Sequence, residues 1–301
     1  MPWGIPGHIK VGHQFLQLGN GWFFRSNKYG SDAWVIGFAG QNTVAFVNVK
    51  AYEGATSRSD DVDAYVLLDV FKIDEKNSAG AYFARVHGRG SVSGEELNLD
   101  TIGLHYNGMV GPLKLAAELN FQMGDNKDLY GGGKEKFSGN QIVLQGTMPM
   151  DALTLNATIA RGSGDDGTDP SKNKSMMVLL DKDPHYTLVY EYFMKTAAGA
   201  NNTGFSNTAA IGIGADFQVN PMILVGANFW FLQADKKFNN NGGAADKDIG
   251  NEIDVKFFLK LADQLTWNTG FGYFMPGKGY EDTAGKADAA TAIQSVLRYK
   301  F

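Results

Sequence analysis

Cysteine is absent from the 301 residues. That excludes a disulfide scaffold and any metal site built on thiolates, and it leaves the compartment open. Nor does any stretch approach the roughly 18 consecutive apolar residues that a membrane-crossing helix needs. The opening MPWGIPGHIKVG lacks a charged segment followed by an apolar one, so it does not read as a secretion signal. The formal net charge of −5 argues against a general nucleic-acid binder. HExxH and GxSxG are missing as well, and no two of His8, His13, His87, His105 and His185 have the spacing of a metal-ligand pair on a helix. Nothing here points to an enzyme.

Glycine and alternation are what the chain has in quantity. Its 38 glycines are not confined to low-complexity tracts. Gly12, Gly103, Gly212, Gly214, Gly226, Gly270 and Gly272 fall inside alternating segments, where glycine weakens a strand and so signals a bend or a close backbone approach. The dominant period is two. In NEIDVKFFLKLADQ, Ile253, Val255, Phe257, Leu259 and Leu261 share one face, and Glu252, Asp254, Lys256 and Lys260 share the other, with Phe258 as the exception. A strand places these charges on one side, whereas a helix would scatter them. PLKLAAELNFQMG, LTLNATIARG and NTAAIGIGADFQV divide in the same way.

The alternation predicts about fourteen strands of about ten residues, the length of a transmembrane β-strand. They span 8–17, 33–39, 43–53, 61–72, 79–88, 97–108, 112–123, 138–148, 152–162, 206–219, 222–234, 250–261, 265–275 and 289–301. The connections alternate. AGQN, IDEKNS, NGMVG, PMDA, VNP and ADQ are short, whereas 18–32, 54–60, 89–96, 124–137, 163–205, 235–249 and 276–288 are long. A soluble sandwich or propeller has no reason to keep every second connection short. An outer-membrane barrel does, with tight periplasmic turns and larger extracellular loops. Tyr52, Tyr106, Trp267, Tyr273, Tyr299 and Phe301 gather near strand ends, as the aromatic girdles of such barrels do.

The expectation is therefore a single domain over 1–301: all-β, a transmembrane antiparallel up-and-down β-barrel in the bacterial outer membrane, with the lipid bilayer as partner. Its closed ring would satisfy every backbone hydrogen bond inside hydrocarbon. The lumen-facing set is mixed in sign: Lys10, Lys50, Asp63, Asp69, Arg85, Lys114, Glu118, Glu252, Asp254, Lys256, Lys260, Arg298 and Lys300. His87 and His105, on adjacent strands, are expected to face the same water. Arg298 and Lys300, two strands from Lys256 and Lys260, would form a locally cationic wall. The function expected is passive diffusion of small polar or anionic solutes, or export of a polysaccharide. The alternative is a structural or partner-binding barrel acting as the sheath of an envelope complex.

The longest loop, 163–205, holds two features. In GSGDDGTDPSKNK, Asp165, Asp166 and Asp169 offer hard carboxylate oxygens to Ca²⁺, without EF-hand spacing; the plainer reading is a solvated acidic loop. MMVLLDKDPHYTLVYEYFM is too apolar to lie free in water. It is expected to pack on the rim or fold into the pore as a constriction or lid, or to supply two further strands, making sixteen.

The stretch HIKVGHQFLQLGNGWFF…DAWVIGF resembles a motif of the alginate-export and related porin families of bacterial outer membranes, and LNLDTIGLHYNGMVGPLKLAAELNFQMGD and IARGSGDDGTDP are similar in style to later parts of those barrels. In the family, further strands usually precede this motif. The resemblance thus implies a truncated barrel, or the later part of one of about eighteen strands. Alginate exporters resemble anion conduits with an arginine-rich lumen, whereas the charges here are of both signs. The ending AIQSVLRYKF, with Tyr299 and Phe301 on one face, resembles the terminal signature recognised by the outer-membrane assembly machinery.

Overall fold

Where the sequence alternates, the described chain forms strands. A computed structural model describes residues 6–53, 60–90, 94–128 and 133–300. The strands are β1 Gly7–Gln14, β2 Phe24–Arg25, β3 Ser31–Ala39, β4 Asn42–Tyr52, β5 Val62–Lys72, β6 Ser78–Arg89, β7 Glu96–Val110, β8 Leu113–Lys127, β9 Lys134–Phe137, β10 Asn140–Met150, β11 Leu153–Gly162, β12 Lys172–Asn173, β13 Leu179–Leu180, β14 Thr208–Asn220, β15 Ile223–Phe238, β16 Asp246–Ala262, β17 Leu265–Pro276 and β18 Ala290–Tyr299. The fourteen long ones are those expected from the period of two. The long loop contributes β12 and β13, two residues each. No α-helix occurs among the described residues; Lys278–Tyr280 is a single 3₁₀ turn.

The chain forms two compact units: Met1–Gly108 with Ala116–Ile142 and Gly162–Asp181, and Met109–Leu115 with Val143–Arg161 and Lys182–Phe301. In the first unit the strand order is β1-β3-β4-β5-β6-β7-β8, with β9 beside β8. In the second it is β10-β11-β14-β15-β16-β17-β18. The registered neighbours among the long strands pair antiparallel, each with the next in sequence. The short connections are tight turns, as expected. Gly111 (φ 60°) and Asp151 (φ 51°) adopt the left-handed backbone that two-residue hairpin turns require. In the turn after β5, Asp74 accepts the backbone N–H groups of Lys76 and Asn77.

Each sheet has one covered face and one bare face. In the first unit Val47, Val49, Val62, Ala64, Val66, Tyr82, Ala84, Val86 and Leu99 pack under Leu18, Phe23, Phe137 and Met176, which come from connections and the short β9. The opposite face exposes Ile9, Phe46, Leu67, Phe83 and Ile102. Both faces of β4–β6 are thus largely apolar, which no simple apolar/polar alternation anticipates. In the second unit the bare face shows Ile211, Ile213, Phe231, Val255, Phe271 and Ile293, and the covered face mixes the polar Thr208 and Glu252 with Ala210, Trp230, Leu232 and Phe274.

Candidate functional site

In the second unit, residues 182–205 lie on the covered face of β14–β17. Glycine makes the close approach possible. A Cβ on Gly272 would fall 2.7 Å from Val189 Cγ2 and 3.1 Å from Leu188 Cβ, and the Trp230 ring occupies the space a side chain at Gly212 would need. Glu252 on β16 is 0 % exposed. Its two carboxylate oxygens accept the backbone N–H groups of Val189 (2.6 Å) and Tyr190 (2.8 Å). The segment is stapled internally as well. Glu191 accepts a 2.6 Å bond from the His185 ring, both side chains being fully buried. Asn202 N–H bonds the Glu191 carbonyl, and Thr196 bonds Ala200 and Thr203. Tyr190 Oη meets Thr208 at 2.9 Å, and Tyr280 Oη donates to the Lys195 carbonyl. Burial pushes the Tyr190 phenol up to about 12, and it raises Tyr186 and Tyr280 in the same direction.

Beside this segment the same face stays open, around a cavity of about 620 Å³. Asp183 of the segment, Asp216, Lys256, Asn268, Gln294 and Arg298 line it. Lys256 Nζ lies 2.8 Å from Asp216. Lys260, Thr266 and Arg298 stand in one row across β16, β17 and β18. Lys260 also pairs with Asp263 of the adjoining turn at 2.7 Å. The register therefore places Lys260 and Arg298 in one row, on either side of Thr266. Phe258, the exception in the alternation, is part of the same cavity lining.

The first unit repeats the device. Residues 16–24 lie on the covered face, where Phe23 stacks on Tyr82 with ring centroids 6.2 Å apart. Glu118 on β8, 1 % exposed, accepts the Asn20 backbone N–H at 2.6 Å and an Asn120 Nδ2 bond at 2.9 Å. Trp22 N–H and Tyr82 Oη reach it too. Gly19 (φ 54°) and Gly21 (φ 82°) turn these N–H groups inward, so the LGNG stretch forms a concave nest for an anion.

Several expected positions lie elsewhere. Glu118, Glu252 and Asp254 are on covered faces, but beneath inserted chain rather than facing open water. Lys10 and Lys114 are exposed, Lys10 opposite Val35 and Lys114 on the same strand face as Glu118. Lys50, Asp63, Asp69 and Arg85 need a correction: they lie on the bare face. Val49, Val62, Ala64, Leu68, Ala84 and Val86 turn toward the core, so the residues between them must turn away. There they pair sideways. Arg85 grips Asp100 through two 2.6 Å bonds, Lys50 meets Asp61 at 2.6 Å and Asp63 at 3.5 Å, and Asn42 bonds Asp69. For the same reason His87 and His105 face opposite ways. His105 lies by Tyr82 on the covered side, and His87 bonds Asn98 on the other.

Asp165, Asp166 and Asp169 do not converge. Asp166 caps Thr168, and Asp169 bonds Ser171 and Lys172, which holds its carboxyl down at about 2. No metal-competent group of three His, Asp or Glu occurs among the described residues. Tyr299 is exposed and bonds Gln264, Lys300 N–H bonds the Gln264 carbonyl, and Phe301 lies outside the described residues. The partners that sequence reasoning missed are Asn20, Tyr82, Asp183, His185, Tyr190, Glu191 and Asp216. The one available signal was a strand carboxylate followed two residues on by a polar group on the same face, ELN at 118–120 and EID at 252–254.

No family model matches the sequence, and no curated protein does. Solved structures do match. The chain is similar to OccK11 (OpdR) of Pseudomonas aeruginosa with a TM-score of 0.58 at 11% identity, over 97% of this chain and 76% of that one. It is similar to OccK9 (OpdG) of the same organism with 0.58 at 12%, over 97% and 73%. It is similar to the outer membrane protein OprD, also of P. aeruginosa, with 0.53 at 12%, over 90% and 71%. At these identities the likeness is one of fold: an all-β antiparallel architecture shared with these proteins.

Proposed function

We propose that this chain is an outer-membrane channel protein through which small polar solutes, anions above all, diffuse passively. The observation that carries the reading is the second unit's cavity: an open stretch of sheet where Asp216, Lys256, Asn268, Gln294 and Arg298 stand among apolar residues such as Leu224 and Phe258, beside an inserted segment. The opposite face of the same strands shows a largely aliphatic and aromatic surface, interrupted by Thr269 and Ser295. Such a surface is costly in water and suited to lipid. The fold likeness to outer-membrane proteins supports the same reading and the same location. Arg298 and Lys260, the latter partly offset by Asp263, support the preference for anions, because fixed cations at a water-filled wall lower the energy of an anion passing them. Nothing in the geometry favours a polysaccharide over a small solute.

The test is reconstitution. In planar bilayers the protein should give discrete conductance steps, and in liposomes it should admit small sugars at rates that fall with solute size. Reversal potentials in a salt gradient should show anion preference, weakened when Lys256, Lys260, Arg298 and Lys300 are replaced by Gln. A folded preparation that neither conducts nor swells liposomes overturns the channel. Cation preference left unchanged by the four replacements overturns the selectivity.

A further inference from the structure

Two features recur in the two units with no sequence repeat between them. Each covered face carries one strand glutamate almost wholly buried, and neither has a cationic partner among the described residues. A buried carboxylate without a counter-cation persists only where hydrogen-bond donors replace its water. Here the donors come from consecutive or near-consecutive backbone N–H groups of an inserted segment. Val189 and Tyr190 serve Glu252; Asn20 and Trp22 serve Glu118. A second polar side chain follows two residues on. Asn120 donates to Glu118, and Asp254 takes the Leu188 N–H beside Glu252. Backbone donors read the path of the chain rather than a side chain, so these bonds hold the segment in place whatever its sequence.

We infer that Glu252 and Glu118 are positioning residues that clasp the inserted segments to the sheet, and that the Glu252 clasp determines solute size by fixing Asp183 at the edge of the cavity. The inference rests on the channel reading for its effect on permeation, but not for the clasp itself. Asp183 is five residues before Leu188, and the segment touches the wall closely between Leu188 and Tyr190, where Leu188 and Val189 meet Gly270 and Gly272. Loosening that contact loosens the stretch that delivers Asp183, while His185–Glu191 and Tyr190–Thr208 still hold the rest of the segment. Asp216, Lys256 and Arg298 belong to the strands and stay where they are.

The experiment compares wild type with Glu252→Gln and Glu118→Gln. The glutamine amide turns one acceptor into a donor facing a backbone N–H, at almost unchanged volume. In Glu252→Gln, amide hydrogen exchange at Val189 and Tyr190 should quicken roughly 10- to 100-fold, the effect of losing a charge-assisted hydrogen bond. Unitary conductance and the size limit for sugars should rise together. In Glu118→Gln, exchange should quicken at Asn20 and Trp22 and not at Val189. Wild-type exchange at Asn20, Val189 and Tyr190 as fast as in the exposed 165–169 turn overturns the clasps, and this measurement stands even if a variant fails to fold. A conducting wild type with unchanged exchange, conductance and size limit in Glu252→Gln also overturns them. A wild type that does not conduct, with the exchange pattern as expected, retains the clasps and overturns their role in permeation along with the channel reading.

Discussion

Replacing Gly272 by alanine tests how tightly the inserted segment is seated. The added methyl group would lie 2.7 Å from Val189 Cγ2, 2.9 Å from Asp254 Oδ1 and 3.1 Å from Leu188 Cβ. Strand or segment has to move, and overpacking of this kind costs about 1–3 kcal/mol. Gly270, two residues earlier on the same strand face, is the control. There the methyl group meets only Leu188 Cδ2 at 3.4 Å and the Val255 carbonyl at 3.9 Å, both ordinary contacts. Alanine at a compatible position reduces the freedom of the unfolded chain and stabilises by about 0.4–1 kcal/mol. The two variants should therefore differ by about 1.4–4 kcal/mol, with Gly272→Ala the weaker. The segment should still stay seated in Gly272→Ala, because two bonds to a carboxylate hold it at about 1.5–3 kcal/mol each. Urea unfolding of the refolded protein in lipid, followed by tryptophan fluorescence, measures the difference. Equal midpoints for the two variants would refute the close approach of the segment to β17.

Two further expectations concern pH. Tyr190 has its folded value raised to about 12 by burial against an ordinary 10.0, so its contribution is complete below about pH 10 and lost as pH rises through about 12. Tyrosinate absorbance should show a late-titrating class whose midpoint shifts toward the ordinary value in Glu252→Gln. Asp169 has the opposite sign. Its carboxyl is depressed to about 2 by Ser171 and Lys172, so the turn it closes is fully held above about pH 3.8 and loosens as pH falls toward about 2. Asp169→Asn should abolish that acid response in the amide shifts of 169–172, and a response persisting in the variant would refute the assignment.

Periodicity is a local property of the chain, and it determined most of the fold. Fourteen strands, their approximate limits and the alternation of tight turns with long connections follow from the spacing of apolar residues and from turn residues such as Asp74 and Gly111. The alignment of β16 with β17 was legible too, because the short Asp263–Gln264 turn leaves little freedom in how they pair. A period of two states which residues share a face; it does not state which face is covered. In β16 the face carrying Glu252, Asp254 and Lys256 is the covered one. In β4–β6 the covering chain brings its own apolar residues, Leu18, Phe23 and Met176. Val47, Ala64 and Ala84 therefore turn toward it, and Lys50, Asp63 and Arg85 turn away. Only tertiary structure decided this, because the choice depends on which connection folds over which strand. The same holds for Glu118 and Glu252. By sequence they are two more charges on a polar face, and they become anchors because Asn20 lies 98 residues from Glu118 along the chain and Tyr190 lies 62 from Glu252, and folding brings their backbone N–H groups to the carboxylates.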